Sequence, residues 1–337
     1  MDDRYPATPP LPSSLQVEIT SACNLRCAMC LVSYRAPVNK LAGAMGPDLF
    51  EPLVDSLPEL DTLTLQGLGE PLLSPYLLRH IGYAKERGVR AGFNSNATLL
   101  TRGRAEELVG SGVDWLHVSL DGARAETFEG IRAGADFDRV VGNLSGLVEA
   151  KRSADSPSPW IRVVFVAMRR NVGELAALVQ LLGEVGVDEV RVQNLSHSFS
   201  DTDPSGQYAG IRDFAAAEAL WTGADSDRVG EAFAEARDAA RDNGVRLRLP
   251  GLTPAPSRDP DRPGCTWPWD SAYVTSAGVV QPCCMVMGDD RVHLGDLTEQ
   301  TFPEIWHGEA YQEFRRQLTT EEPPEVCRGC SLYQSTF

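Results

Sequence analysis

Between Leu15 and about Leu195 the chain repeats one pattern, a short apolar run followed by an amphipathic stretch. Strands joined through helices return to pair in the same direction, so the repeat calls for a parallel sheet covered by helices. The spacing predicts strands over 15–20, 61–66, 89–94, 114–120, 160–167 and 188–194. Helices are predicted over 47–57, 74–87, 101–111, 124–131 with 136–153, and 171–186. Six strands make a partial barrel, and residues 1–200 are assigned to it. Residues 201–262 break the alternation with a Gly/Asp/Ser-rich stretch, Ala-rich helical text from about Ile211 to Arg241, and a proline-bearing loop, and read as a helical bridge. Residues 263–337 gather five cysteines and form a small second domain.

Directly after the first strand comes Cys23-Asn-Leu-Arg-Cys27-Ala-Met-Cys30. Three soft ligands this close suit an iron-sulfur cluster, and a four-iron cube held by three thiolates keeps one iron open for chemistry. A structural zinc would want a fourth Cys or His, and none of the five His lies within the first 79 residues. The eight cysteines fit metal ligation in a reducing, cytoplasmic setting better than a disulfide framework. The formal net charge of -16 argues against nucleic acid and anionic membrane and is compatible with a cationic small-molecule substrate. No apolar run approaches the length of a membrane span.

The spacing and local text of the cysteine segment resemble the radical S-adenosylmethionine (SAM) superfamily. The resemblance implies that the open iron chelates SAM and that an electron from the cluster, supplied by an external donor such as flavodoxin or ferredoxin, cleaves it. The resulting 5'-deoxyadenosyl radical removes a hydrogen atom from the substrate. It also implies a (β/α)6 core of TIM-barrel type with its site at the strand C-termini. Met29 stands where the family usually carries an aromatic residue and would pack on adenine. Gly67-Leu68-Gly69-Glu70-Pro71 resembles the family's Gly-Gly-Glu-Pro element, so Gly69 would let backbone approach SAM and Glu70 would hold its amino group. Asn96, Ser119 and Asp121 lie at strand exits that the family uses for SAM; Asp121 is also placed to contact substrate or cap a helix. Arg169 would pair with the SAM carboxylate, and Gln193, Asn194 and His197 would meet the substrate.

Cys265, Cys283, Cys284, Cys327 and Cys330 are one too many for a second cube. Their spacing resembles the SPASM or shortened twitch domain, which implies an auxiliary 4Fe-4S cluster on Cys265, Cys283, Cys327 and Cys330, with Cys284 left over. The competing assignment is a zinc ribbon in a non-enzymatic scaffold. A spare thiol can return a hydrogen atom to a carbon radical, and return on the opposite face inverts that carbon. The expected function is therefore epimerisation of an amino sugar or aminocyclitol in antibiotic biosynthesis, with Cys284 as donor. Dehydrogenation through the auxiliary cluster is the first alternative and maturation of a ribosomal peptide the second. About fourteen residues precede the first strand, so a leader-binding domain is not expected in this chain.

Overall fold

A computed structural model describes residues 5–34, 43–195, 197–199, 206, 208–220, 225–251, 264–286 and 291–334. The domain limits expected at 200/201 and 262/263, and most of the proline-bearing loop, lie outside the described residues. The strands are β1 Ser14–Val17, β2 Arg26–Cys27, β3 Thr62–Leu65, β4 Arg90–Ser95, β5 Trp115–Ser119, β6 Arg132–Ala133, β7 Trp160–Val166, β8 Glu189–Gln193, β9 Arg246–Arg248, β10 Ser271–Val274, β11 Val279–Gln281 and β12 Gly295–Asp296. Covering helices are α1 Pro47–Asp55, α2 Leu77–Glu86, α3 Arg102–Gly110, α4 Ala125–Ile131, α5 Phe137–Ser153 and α6 Leu175–Val185. The bridge supplies α7 Ala209–Glu218 and α8 Ser226–Asp242, and the C-terminal region α9 Trp267–Asp270, α10 Phe302–Trp306, α11 Glu309–Leu318 and α12 Glu325–Arg328.

All six expected strands form, in the order β1-β3-β4-β5-β7-β8, every neighbouring pair parallel. Their alternation sorts the two faces. Leu116 and Val118 of β5, Val163 and Phe165 of β7, and Val190 and Val192 of β8 are buried beneath the helices. Each such side chain contributes roughly 1.5–3 kcal/mol by leaving water. The residues between them, among them Asn94, His117, Arg162 and Arg191, point into the barrel. Register sets Asn94 beside His117 and His117 beside Arg162.

The sheet does not stop at six strands. β9 pairs parallel with β8, and β10 pairs parallel with β1, bringing the antiparallel strands β11 and β12 with it. The C-terminal region therefore extends the barrel sheet to ten strands rather than standing beside it. Its hairpin turns at Gly278, whose φ of 96° favours glycine, and Thr301 and Glu304 form a capping box.

Candidate active site

The cysteine segment leaves β1 and is fastened by a sheet of two residues per strand, in which Cys27 of β2 lies opposite Arg132 of β6. Arg132 Nη1 approaches Cys27 Sγ at 3.8 Å, and its Nε donates to Asp121 Oδ2 at 2.7 Å. Burial pushes the Cys30 thiol up to about 12, with the neighbouring thiols of Cys27 and Cys23 pushing the same way. Thiolates crowded like this need cationic compensation, which iron supplies. A donor set of three thiols, with no histidine in the segment, is soft and suits an iron-sulfur cube.

The loop after β3 is pressed onto this segment. Glu70 N donates to Ala22 O at 2.8 Å, and a Cβ on Gly69 would lie 2.0 Å from Thr20 O. Gly69→Ala is therefore expected to cost about 1–3 kcal/mol and to lower bound iron, checked by denaturant unfolding and iron analysis. Glu70 is buried: Oε1 accepts from Leu72 N and Ser95 Oγ at 3.0 and 2.8 Å, and Oε2 from Asn96 N at 2.7 Å. One lone pair on Oε2 is left over by these bonds for an ammonium. The Asn96 amide donates to Asn24 Oδ1 at 3.0 Å, tying the exit of β4 to the cysteine segment.

Three residues expected to meet SAM or substrate have protein partners. Asp121 does not cap a helix: it is 0% exposed, paired to Arg132, and accepts Val166 N at 2.7 Å. Arg169 Nε donates to Asp225 Oδ2 at 2.6 Å and its Nη1 to Ala217 O at 2.6 Å. His197 is buried. Its Nδ1 accepts Phe199 N at 2.8 Å, so Nε2 carries the proton and donates to Val326 O at 2.8 Å, pinning the exit of β8 to the turn that bears Cys327 and Cys330. Met29 packs with Ile131, Met168 and Leu195; Ser119 is half-buried at the end of β5, and Asn194 is buried just past β8.

Two buried groups escaped the sequence reading. Arg132 is one. Glu18 is the other: its Oε2 accepts Leu68 N at 2.7 Å and the Tyr273 hydroxyl at 2.9 Å, locking the loop after β3 to the C-terminal hairpin.

Inside the barrel lies a cavity of about 400 Å³, lined by Asn94, His117, Arg162, Arg191, Gln193 and Cys284 among others. Trp267 and Met285 bring the C-terminal region onto its wall. No Asp or Glu is among the described lining residues. Arg162 Nη1 lies 3.2 Å from His117 Nε2. Burial, then the charges of Arg162 and Arg191, hold the His117 imidazole down to about 3, so it is neutral. Cys284 faces this cavity. Cys283 is half-buried beside Cys284, Cys330, Cys265 and Cys327; desolvation raises its thiol pKa and these neighbours push it the same way.

Comparison with known proteins agrees with this architecture. The radical SAM superfamily model matches residues 17–157, and that of the SPASM iron-sulfur cluster-binding domain residues 265–331. The tungsten-containing aldehyde ferredoxin oxidoreductase cofactor-modifying protein of Pyrococcus furiosus is 28% identical, over 94% of this chain and 87% of its own. Mycofactocin maturase of Mycobacterium tuberculosis is 30% identical, over 57% of this chain and 47% of its own. The crystal structure of Streptococcus suis SuiB bound to precursor peptide SuiA superposes with a TM-score of 0.71 at 18% identity, covering 96% of this chain and 70% of that one. Among the described residues no helix is long and apolar enough to cross a membrane. With a partial parallel barrel, a cysteine segment at the exit of β1 and a cysteine-rich C-terminal region, this chain belongs to the radical SAM superfamily and carries a SPASM domain, with SAM, a SAM-binding 4Fe-4S cluster and auxiliary iron-sulfur chemistry as its cofactors.

Proposed function

We propose that this enzyme inverts a hydrogen-bearing carbon of a polar substrate held in the barrel cavity. The observation that carries the reading is Cys284, a thiol on the cavity wall beside a cysteine that is surrounded by other cysteines. In this reading Cys23, Cys27 and Cys30 hold the SAM-binding cluster, with Glu70 taking the SAM amino group. Cys265, Cys283, Cys327 and Cys330 hold the auxiliary cluster. When bound, cluster and SAM supply a radical that abstracts hydrogen from carbon. Cys284 then acts on the other face: its S–H bond breaks, a new C–H bond forms, and a thiyl radical remains on sulfur. An external one-electron donor of the ferredoxin or flavodoxin type reduces that sulfur, which takes its proton from solvent. Each turnover consumes one SAM, two electrons and one proton.

The test is turnover in deuterated water under anaerobic reduction. A product of unchanged connectivity carrying one deuterium at the inverted carbon is expected, because an S–H exchanges with solvent. A product lighter by two hydrogens would replace inversion with dehydrogenation. A second reading keeps this chemistry but makes the substrate a peptide side chain. It is supported by the likeness to mycofactocin maturase and to SuiB bound to a precursor peptide.

A further inference from the structure

The segment from Tyr5 to Pro12 reads Tyr-Pro-Ala-Thr-Pro-Pro-Leu-Pro, with prolines three apart at 6 and 9 and again at 9 and 12. Proline has no N–H and a fixed φ, so such a stretch is poorly suited to a sheet or helix and offers its carbonyls to other donors. No helix or strand forms over it. Side chains of the C-terminal region take its carbonyls instead. Trp269 Nε1 donates to Pro6 O at 2.9 Å, Arg315 Nη1 to Ala7 O at 3.0 Å, His307 Nε2 to Pro9 O at 2.9 Å and Trp306 Nε1 to Pro10 O at 2.9 Å. The donors come from α9, α10 with the residue after it, and α11. They are themselves held in place. Arg315 is 0% exposed, donates to Pro268 O and Trp306 O at 2.8 Å each, and lies 4.2 Å from the ring centres of both Trp306 and Tyr311. Pro9 and Pro12 are buried while Pro6, Thr8 and Pro10 are exposed, so one side of the segment is seated. Tyr5 meets Trp269 edge-on at 5.5 Å, within the apolar cluster that also gathers Cys265, Cys283 and Cys330.

We propose that the C-terminal region carries a groove that binds a proline-rich peptide backbone, and that residues 5–12 fill it as a tethered ligand. Donors on Trp269, Trp306, His307 and Arg315 read main-chain carbonyls, which is how an aromatic-lined groove recognises a proline-rich segment. Because proline sets φ in advance, little chain freedom is lost on seating. The tether adds a second advantage: a ligand on a short linker acts at an effective concentration of about a millimolar, so free peptide competes poorly until the tethered copy is weakened. Seating lays Tyr5 against the cysteine-rich cluster, and Ser14 begins β1 two residues after Pro12, so the groove fastens that cluster to the start of the barrel.

The experiment is fluorescence anisotropy of a labelled synthetic peptide of residues 1–13 with the full-length, anaerobically reconstituted holoenzyme. A chain carrying Pro6→Gly, Pro9→Gly and Pro10→Gly together keeps its donors but weakens its own tethered segment. The peptide is expected to bind that chain about tenfold or more tightly than it binds the unaltered chain. The same peptide with the three glycines in place of its prolines should bind the variant chain about tenfold or more weakly than the native peptide does. A benzophenone side chain in place of Tyr5 in the peptide should cross-link to the segment around Trp269, read by mass spectrometry. Equal binding of the native peptide to both chains, equal binding of the glycine peptide, or a cross-link confined to the barrel each overturn the groove. If the triple variant fails to fold, Pro9→Gly alone carries the same comparison, with an expected gain of about twofold to fivefold.

Discussion

Asp121→Ala is expected to cost about 3–5 kcal/mol of folding stability, because it strands the Arg132 guanidinium in a buried place with no counter-charge. The carboxylate also accepts Val166 N, so its loss frees a backbone donor at the end of β7 as well. Replacing both partners by apolar residues of similar size, Asp121→Leu with Arg132→Met, should cost far less, since neither charge is then left alone. The two variants separate stability from chemistry. Arg132 sits 3.8 Å from Cys27 Sγ, and a cation there favours the more negative, reduced state of a cluster on that thiolate. The double variant should therefore fold, bind iron, and show a reduction potential lowered by some tens of millivolts in a redox titration followed by electron paramagnetic resonance. An unchanged potential in a folded, iron-loaded double variant would reduce Arg132 to a structural role.

The barrel was legible in the sequence because strands buried on the helix side and covered by amphipathic helices announce themselves locally. β5, for example, was expected over 114–120 and forms over Trp115–Ser119. The strands that were missed are those whose existence depends on a distant partner. β9 has three residues and exists by pairing with β8, and β10 exists by pairing with β1, more than 250 positions earlier in the chain. The same cause hid Arg132 and Glu18. Nothing near Arg132 says that it will lie opposite Cys27, and Glu18 reads as the solvent-facing member of a strand until Tyr273 and the loop after β3 close over it.

The polar residues at strand exits follow one rule. Asp121, Arg169 and His197 are polar groups at strand exits, where a ligand is a reasonable partner. In the fold each finds a protein partner first: Arg132, Asp225 and the carbonyl of Val326. A strand-exit position specifies which end of the barrel a side chain occupies and leaves open what it touches. Net charge is silent on the lumen: a sum over the whole chain weights the exterior, whereas the lumen is set by which members of β7 and β8 alternate inward, among the described residues Arg162 and Arg191.

Cys284→Ala is expected to lower formation of the inverted product by about a hundredfold or more while leaving SAM cleavage in place. The residue lines the cavity, whereas the cysteines assigned to the two clusters are not among its described lining residues. Iron content should accordingly be that of the unaltered enzyme. Cys284→Ser is the sharper variant: it keeps a hydroxyl of similar size and its exchangeable proton, but an O–H bond is too strong to give its hydrogen to a carbon radical. If the thiol merely fills space or donates a hydrogen bond, serine should restore the product. If it is the hydrogen donor, serine should fail as alanine does. Without a donor, the substrate radical has two exits. Loss of a proton with passage of one electron to the auxiliary cluster leaves a product two hydrogens lighter, and recapture of hydrogen on the original face returns the starting material. Cys283→Ala provides the contrasting result, because loss of a cluster ligand should lower iron content first and product second. Inverted, deuterated product formed at the normal rate by Cys284→Ser would remove Cys284 from the chemistry and with it the argument for epimerisation.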